Sequence, residues 1–145
     1  MGNYHYIIAG LPELLLNADN KGFSYDAVRD SIYYSSSEKD RRFIEWFEFG
    51  NSEENLTPHF YRAAMQCKNR FIRTYFALDL EIRNRKVDFV ANKLGKDSGN
   101  YRMQVGKSID LNLSQEQLTK LNEIFANKNI LEKEQMLDSF KWEYI

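Results

Sequence analysis

From Pro58 to Leu94 the chain runs thirty-seven residues with no glycine and no proline beyond the first position. Thr57 and Pro58 read as a helix start, a hydroxyl N-cap followed by a proline where no N–H is needed. Gly95 reads as the stop, because glycine takes the left-handed C′ conformation without steric penalty. The pattern predicts one helix over about 58–94. If straight it would be about 55 Å long at 1.5 Å per residue. A rod that long constrains the rest of the chain to pack along it, which predicts an all-α helical bundle organised around one long central helix and points to scaffolding work.

Two apolar stripes run down this stretch. One is Phe60, Ala64, Cys67, Phe71, Tyr75, Leu78 and Ile82, and the other Met65, Ile72, Phe76, Leu80, Val87, Ala91 and Leu94. Their spacings of three and four are helical. The pattern breaks at Arg83-Asn84-Arg85-Lys86, where Asn84 stands on the stripe between Leu80 and Val87. A kink, a change of packing partner, or a buried amide with a defined partner would each explain it.

The remaining chain carries further helix signals. The apolar opening from Asn3 to Leu14 predicts a helix followed by a turn, and Ser24 caps a short helix to about Ile32 with Tyr25, Val28 and Ile32 on one face. Ser35-Ser36-Ser37 ahead of Glu38 and Asp40 predicts a second helix to about Phe49, whose Phe43, Ile44, Trp46 and Phe47 form an expected core face. Residues 95–113 read as a long surface connection or mobile loop. Ser114-Gln115-Glu116-Gln117 is an S-x-x-Q capping box that opens another helix with Leu118, Leu121 and Phe125. Asn129 and Glu132 are the candidate caps of a last helix offering Leu137, Phe140, Trp142 and Tyr144 for packing. Apolar sequence persists to Ile145 with no C-cap, which predicts a natural chain longer than this one. Residues 1–145 are read as a single helical domain.

Charge narrows the function classes. Asp and Glu total 21 against 20 Lys and Arg, so no whole-molecule field selects nucleic acid or membrane. Locally, residues 58–97 hold nine basic and four acidic side chains, between net acidic flanks at 38–54 and 115–145. One cysteine, Cys67, excludes an intrachain disulfide. There is no signal-peptide pattern and no apolar run long enough to span a bilayer, which together predict a soluble, cytoplasmic protein.

Chemistry-bearing motifs are scarce. His5 and His59 are the only histidines, and no zinc spacing includes them. His59 and Cys67 are too far apart along a helix to pair directly. A Cys–His nucleophile using His5 has no sequence signature, and Cys67 reads as a small core residue. Gly106-Lys107-Ser108 resembles the end of a phosphate-binding loop, but Tyr101 stands where that loop requires its first glycine. Glu13, Asp19 and Asp26 lack paired spacing. The expectation is a protein that is not an enzyme and takes no cofactor and no metal. Lys68, Arg70, Arg73, Arg83, Arg85 and Lys86 are the residues a nucleic-acid reading would use, although Asp79, Glu81 and Asp88 interrupt them.

Three segments carry a family resemblance: Tyr4-His5-Tyr6 with Leu11-Pro12-Glu13-Leu14, the run from Tyr75 to Asn84, and Leu137-Asp138 with Lys141-Trp142. Together they resemble a bacterial family of unknown biochemical activity associated with V-type ATPase genes. That family is itself distantly similar to the C/d-type socket subunit of A/V-type rotary ATPases. The resemblance implies an all-helical, non-catalytic adaptor linking the central stalk to the membrane rotor ring during proton or sodium transport coupled to ATP. It implies stalk or ring proteins as partners, no nucleic acid, and peripheral association with the inner membrane through the complex. It also implies that Tyr75 and Phe76 hold the helix in place and that Asn84 is a buried, hydrogen-bonded residue. The socket protein is built from related helical units and is far longer than 145 residues, so the resemblance implies that this chain supplies one such unit and part of another.

Within that reading Arg83, Arg85 and Lys86 are the expected contacts to an acidic partner. A free-standing helical interaction module is the alternative, followed by nucleic-acid binding and last by enzymatic activity.

Overall fold

The structure, a computed structural model, describes residues 24–99, 101–106 and 109–145. The amino-terminal segment read as helix and turn, with His5, Glu13 and Asp19, lies outside the described residues, as do Lys107 and Ser108. Among the described residues there are six α-helices, one short 3-10 turn at Glu53–Asn55 and no strand. The helices are α1 Tyr25–Ser35, α2 Glu38–Gly50, α3 Pro58–Met65, α4 Arg70–Lys93, α5 Gln115–Ala126 and α6 Ile130–Tyr144. The all-α class is as expected. The sequence reading treats 1–145 as one helical domain; the chain divides into two compact units, Met1–Glu53 and Glu54–Ile145.

Each helix begins at a side chain that accepts a hydrogen bond from an otherwise unpaired first-turn N–H. Ser24, Ser37, Thr57, Asn69, Ser114 and Asn129 fill this role. Ser114 and Gln117 form the full reciprocal capping box, at 3.1 Å and 2.8 Å.

One of these caps corrects the sequence reading. The helix expected over 58–94 is two helices, broken at residues 66–69. The Asn69 carboxamide accepts from the Ile72 N–H at 3.1 Å and so opens α4. The Arg73 guanidinium donates to the Cys67 carbonyl at 2.7 Å, satisfying an acceptor the break leaves outside a helix. Without proline or glycine, the break depends on an Asn whose side chain competes with the helical backbone. The predicted stop is accurate: Gly95 has φ +66°, and the Lys96 N–H reaches back to the Ala91 carbonyl at 2.9 Å while Gly95 bonds Asn92. This is a Schellman closure.

In the first unit, α1 and α2 are joined by polar contacts. Arg29 makes a two-pronged pair with Glu48, and the Tyr33 hydroxyl donates to Glu45 at 2.7 Å. Arg41 donates to the Tyr33 and Tyr34 carbonyls, capping the end of α1. Phe43, Ile44, Trp46 and Phe47, expected as a core face, are half-buried rather than buried.

In the second unit α4 is central and packs against α3, α5 and α6. Toward α5 and α6 it contributes Leu78 and Ile82 to a cluster with Leu121, Ile124, Phe125, Leu137 and Phe140. Toward α3 its Phe76 meets Phe60 edge-on, with ring centroids 5.0 Å apart. Leu137 and Phe140 therefore pack as expected, whereas Trp142 is 75% exposed.

Candidate functional site

Three features of the second unit bring polar or exposed groups together in ways that packing alone does not demand. The first is a polar clasp at the middle of α4. Asp79 accepts from the Tyr61 hydroxyl of α3 at 2.6 Å and from Lys141 Nζ of α6 at 2.7 Å. Tyr61 has no exposed surface, and the Asp79 and Lys141 side chains are only 19% and 17% exposed. Lys141 Nζ also lies 5.5 Å from the Tyr75 ring centre. Burial works against the charge on Lys141, but the Asp79 carboxylate outweighs it and holds the ammonium above the ordinary lysine value. Burial, then the charge of Asp79, pushes the Tyr61 hydroxyl far above the ordinary tyrosine range. Near neutral pH Lys141 stays charged and Tyr61 stays protonated, so neither is poised to take up a proton. The clasp ties three helices to one carboxylate. It also joins the segments Tyr75–Asn84 and Leu137–Trp142, two of the three that carry the family resemblance.

The second feature is Asn84, which is 7% exposed. Its amide donates to the Met103 carbonyl at 3.0 Å and accepts from the Met103 N–H at 2.9 Å. Helix α4 runs unbroken through this position, so the gap in the apolar stripe marks a buried amide with a defined partner. That partner is the backbone of the connection between α4 and α5. The same connection is fastened by Arg102 to Asp88 at 3.0 Å and by the Tyr144 hydroxyl to the Leu111 carbonyl at 2.7 Å. Residues read as a loose surface loop are thus pinned at three points among the described ones. No pairing pattern in the sequence announces them. Only the polar break at Asn84 gives a signal.

Replacing Asn84 with Ala would leave both backbone groups of Met103 without their partner. The expected loss is about 1–3 kcal/mol, the usual penalty for stranding buried hydrogen-bonding groups. Hydrogen exchange should show the largest gain at residues 101–105, with α5 little changed.

The third feature is an open apolar groove of about 410 Å³ along the last turns of α4. It is lined by the apolar Val87, Val90, Ala91 and Leu94, by Tyr101, and by Lys86 and Lys96, which bracket the apolar four in the sequence. Val90, Leu94 and Tyr101 are exposed. Exposed apolar surface gathered in one concavity, rather than scattered singly, is a mark of binding surfaces.

The basic residues singled out from the sequence do not form one face. Arg85 Nε lies 2.7 Å from Glu81 Oε1 in an ion pair along the helix. Arg83 sits close enough to Tyr61 to influence its hydroxyl. Lys86 edges the groove. Arg73 is engaged with Cys67, while Lys68 and Arg70 are exposed at the α3–α4 corner. Tyr75 and Phe76 pack ring against ring at 5.1 Å, and Phe76 is buried. Cys67 is half-buried and free.

Among the described residues no group of three or more His, Cys, Asp or Glu side chains is placed to hold a metal ion. None of the described helices is long and apolar enough to cross a membrane.

Fold and surface define an all-α protein whose second unit presents an apolar groove on α4. The chain belongs to the family described as "Protein of unknown function (DUF2764)", whose model matches residues 48–145 and so spans the whole second unit. No curated protein and no solved structure matches the chain.

Proposed function

We propose that this protein is a non-catalytic helical adaptor that acts through protein–protein contact. The observation that carries the proposal is the apolar groove on α4 with its two lysines, a surface suited to an apolar segment of another protein. The setting comes from the resemblance to the socket protein of rotary ATPases: a place between the central stalk and the rotor ring of a V/A-type enzyme, on the cytoplasmic side of the inner membrane. An adaptor there must transmit force through packed helices. The Asp79 clasp, which ties α3, α4 and α6 together, supports such a role.

A free-standing interaction module would use the same groove, and the partner separates the two readings. The test is affinity purification of the full-length tagged protein from its native cell extract, with mass spectrometry of the retained proteins. Recovery of stalk or ring proteins after nuclease treatment is the expected result. Their absence from an extract whose ATPase is intact overturns the rotary setting. Nucleic-acid binding is disfavoured because the six basic residues are divided among internal pairs, a corner and a groove edge.

Charge reversal on the basic stretch is best made at Lys86. Arg85 faces Glu81 in the same helix, so reversing it would also set two acids against each other one turn apart. Lys86→Glu should leave the circular dichroism unchanged and weaken recovery of the partner by about threefold to tenfold, the scale of exposed charge contacts. Undiminished recovery would remove Lys86 from the contact surface.

A further inference from the structure

We infer that the α4 groove receives the apolar face of an amphipathic helix whose two ends carry acidic side chains; the inference rests on the adaptor reading and names the chemistry of the partner. Four residues of the groove, Val87, Val90, Ala91 and Leu94, lie at helical spacings of three and four along a single face of α4. Such a face offers ridges and grooves along its axis, which a second helix fills better than an extended strand does. A small polar ligand finds little here, because the lining offers almost no polar atoms to orient it.

Charge complementarity fixes the ends of the occupant. The cations nearest the groove are engaged within the protein: Arg85 with Glu81, Arg102 with Asp88, and Lys93 over the Phe89 ring. Lys86 and Lys96 make no ion pair among the described residues, and they stand at the groove itself. Lys86 lies within α4 and Lys96 just past the Gly95 closure, so the two bracket the stretch from Val87 to Leu94, about 12 Å of helix axis. A helix lying along α4 meets both when acids flank its apolar face by roughly two turns.

The wall is pre-formed. The Tyr101 N–H donates to the Ser98 carbonyl at 2.9 Å, and the adjoining residues are held by Arg102–Asp88 and Asn84–Met103. A wall already fixed does not have to be ordered on binding, which lowers the entropic penalty of association.

The test uses the full-length chain and synthetic fluorescent helical peptides with Leu, Ile or Phe anchors at spacings of three and four. Each peptide is made with Glu or with Lys at both flanks, about eight residues apart. Fluorescence anisotropy should show saturable binding of at least one Glu-flanked peptide, at least tenfold tighter than its Lys-flanked twin. Val90→Glu, at an exposed position, should weaken it at least tenfold with helicity intact. In the Lys86→Glu/Lys96→Glu chain the preference should reverse in favour of the Lys-flanked peptide.

Absence of saturable binding across the panel overturns the proposal, as does binding without charge preference. Concentration-dependent dimerisation abolished by Val90→Glu, with no peptide binding, would replace it with a second copy as the occupant. Failure of the peptides leaves the co-purification result standing, and absence of ATPase proteins leaves the peptide result standing, so the two readings fail separately.

Discussion

Asp79→Ala is expected to lower the unfolding free energy by about 2–4 kcal/mol, at or just below the loss seen when one partner is stripped from a buried ion pair. The substitution leaves the Lys141 ammonium and the fully buried Tyr61 hydroxyl without their common acceptor. Most of the loss is the stranding of those groups rather than the net worth of the pair. A companion experiment makes that distinction: Asp79→Leu with Lys141→Met and Tyr61→Phe removes all three polar groups and should recover more than half the deficit. Urea unfolding followed by circular dichroism reads both. If the single variant unfolds within about 0.5 kcal/mol of the parent, the effect of an ordinary surface substitution, the clasp contributes nothing that solvent does not replace.

The same groups set an alkaline limit. Lys141 and Tyr61 both have folded-state values raised above their ordinary 10.5 and 10.0. In the window above those ordinary values the folded state holds protons that the unfolded state has released, so stability falls as pH rises. Stability supplied by these groups is fully present at neutral pH and declines from about pH 10 upward. The triple variant should lose that alkaline sensitivity.

Much of this fold is written locally. All six described helices start at a Ser, Thr or Asn cap, because capping needs only one side chain and three following residues. The Gly95 stop and the Ser114 capping box are legible for the same reason. The break at 66–69 is not. Its signals are Asn69 and an arginine four residues on, ordinary residues that act only once the chain has turned. The connection at 95–113 illustrates the other limit. Its composition reads as loop, and its described residues are loop, but their fastening to Asn84, Asp88 and Tyr144 depends on contacts from 14 to 33 residues away. Asn84 could be flagged because a polar residue interrupts an apolar stripe, whereas Asp79 could not be. It lies beside Leu78 and Leu80 in the helix and resembles any solvated acid until Tyr61 and Lys141 arrive from other helices. Arg83, Arg85 and Lys86 teach the converse lesson. Adjacent charges in a helix point in different directions, so a run of cations in the sequence is not a patch on the surface.

Phe76→Ala should be the most destabilising of the substitutions considered, by about 3–5 kcal/mol. Phe76 is 1% exposed and meets two rings edge-on, Phe60 at 5.0 Å and Tyr75 at 5.1 Å. Truncation empties the seam between α3 and α4 and breaks both ring pairs, each worth about 0.5–1.5 kcal/mol beyond its buried area. Phe76→Leu, which keeps most of the volume, should lose about half as much or less. Because Phe76 faces α3 while Leu78 and Ile82 face α5 and α6, the rise in hydrogen exchange should be greatest in Pro58–Met65. A uniform rise along the second unit would mean that α3 has no separate seam. Phe76 and Val90 lie fourteen residues apart, about 21 Å along α4. Under conditions where the variant remains folded, peptide binding at the groove should therefore match the parent. One helix would then carry two separable tasks, with the amino-terminal half holding α3 in place and the carboxy-terminal turns presenting the groove. Loss of peptide affinity in folded Phe76→Ala would show that the seam and the groove are coupled through α4.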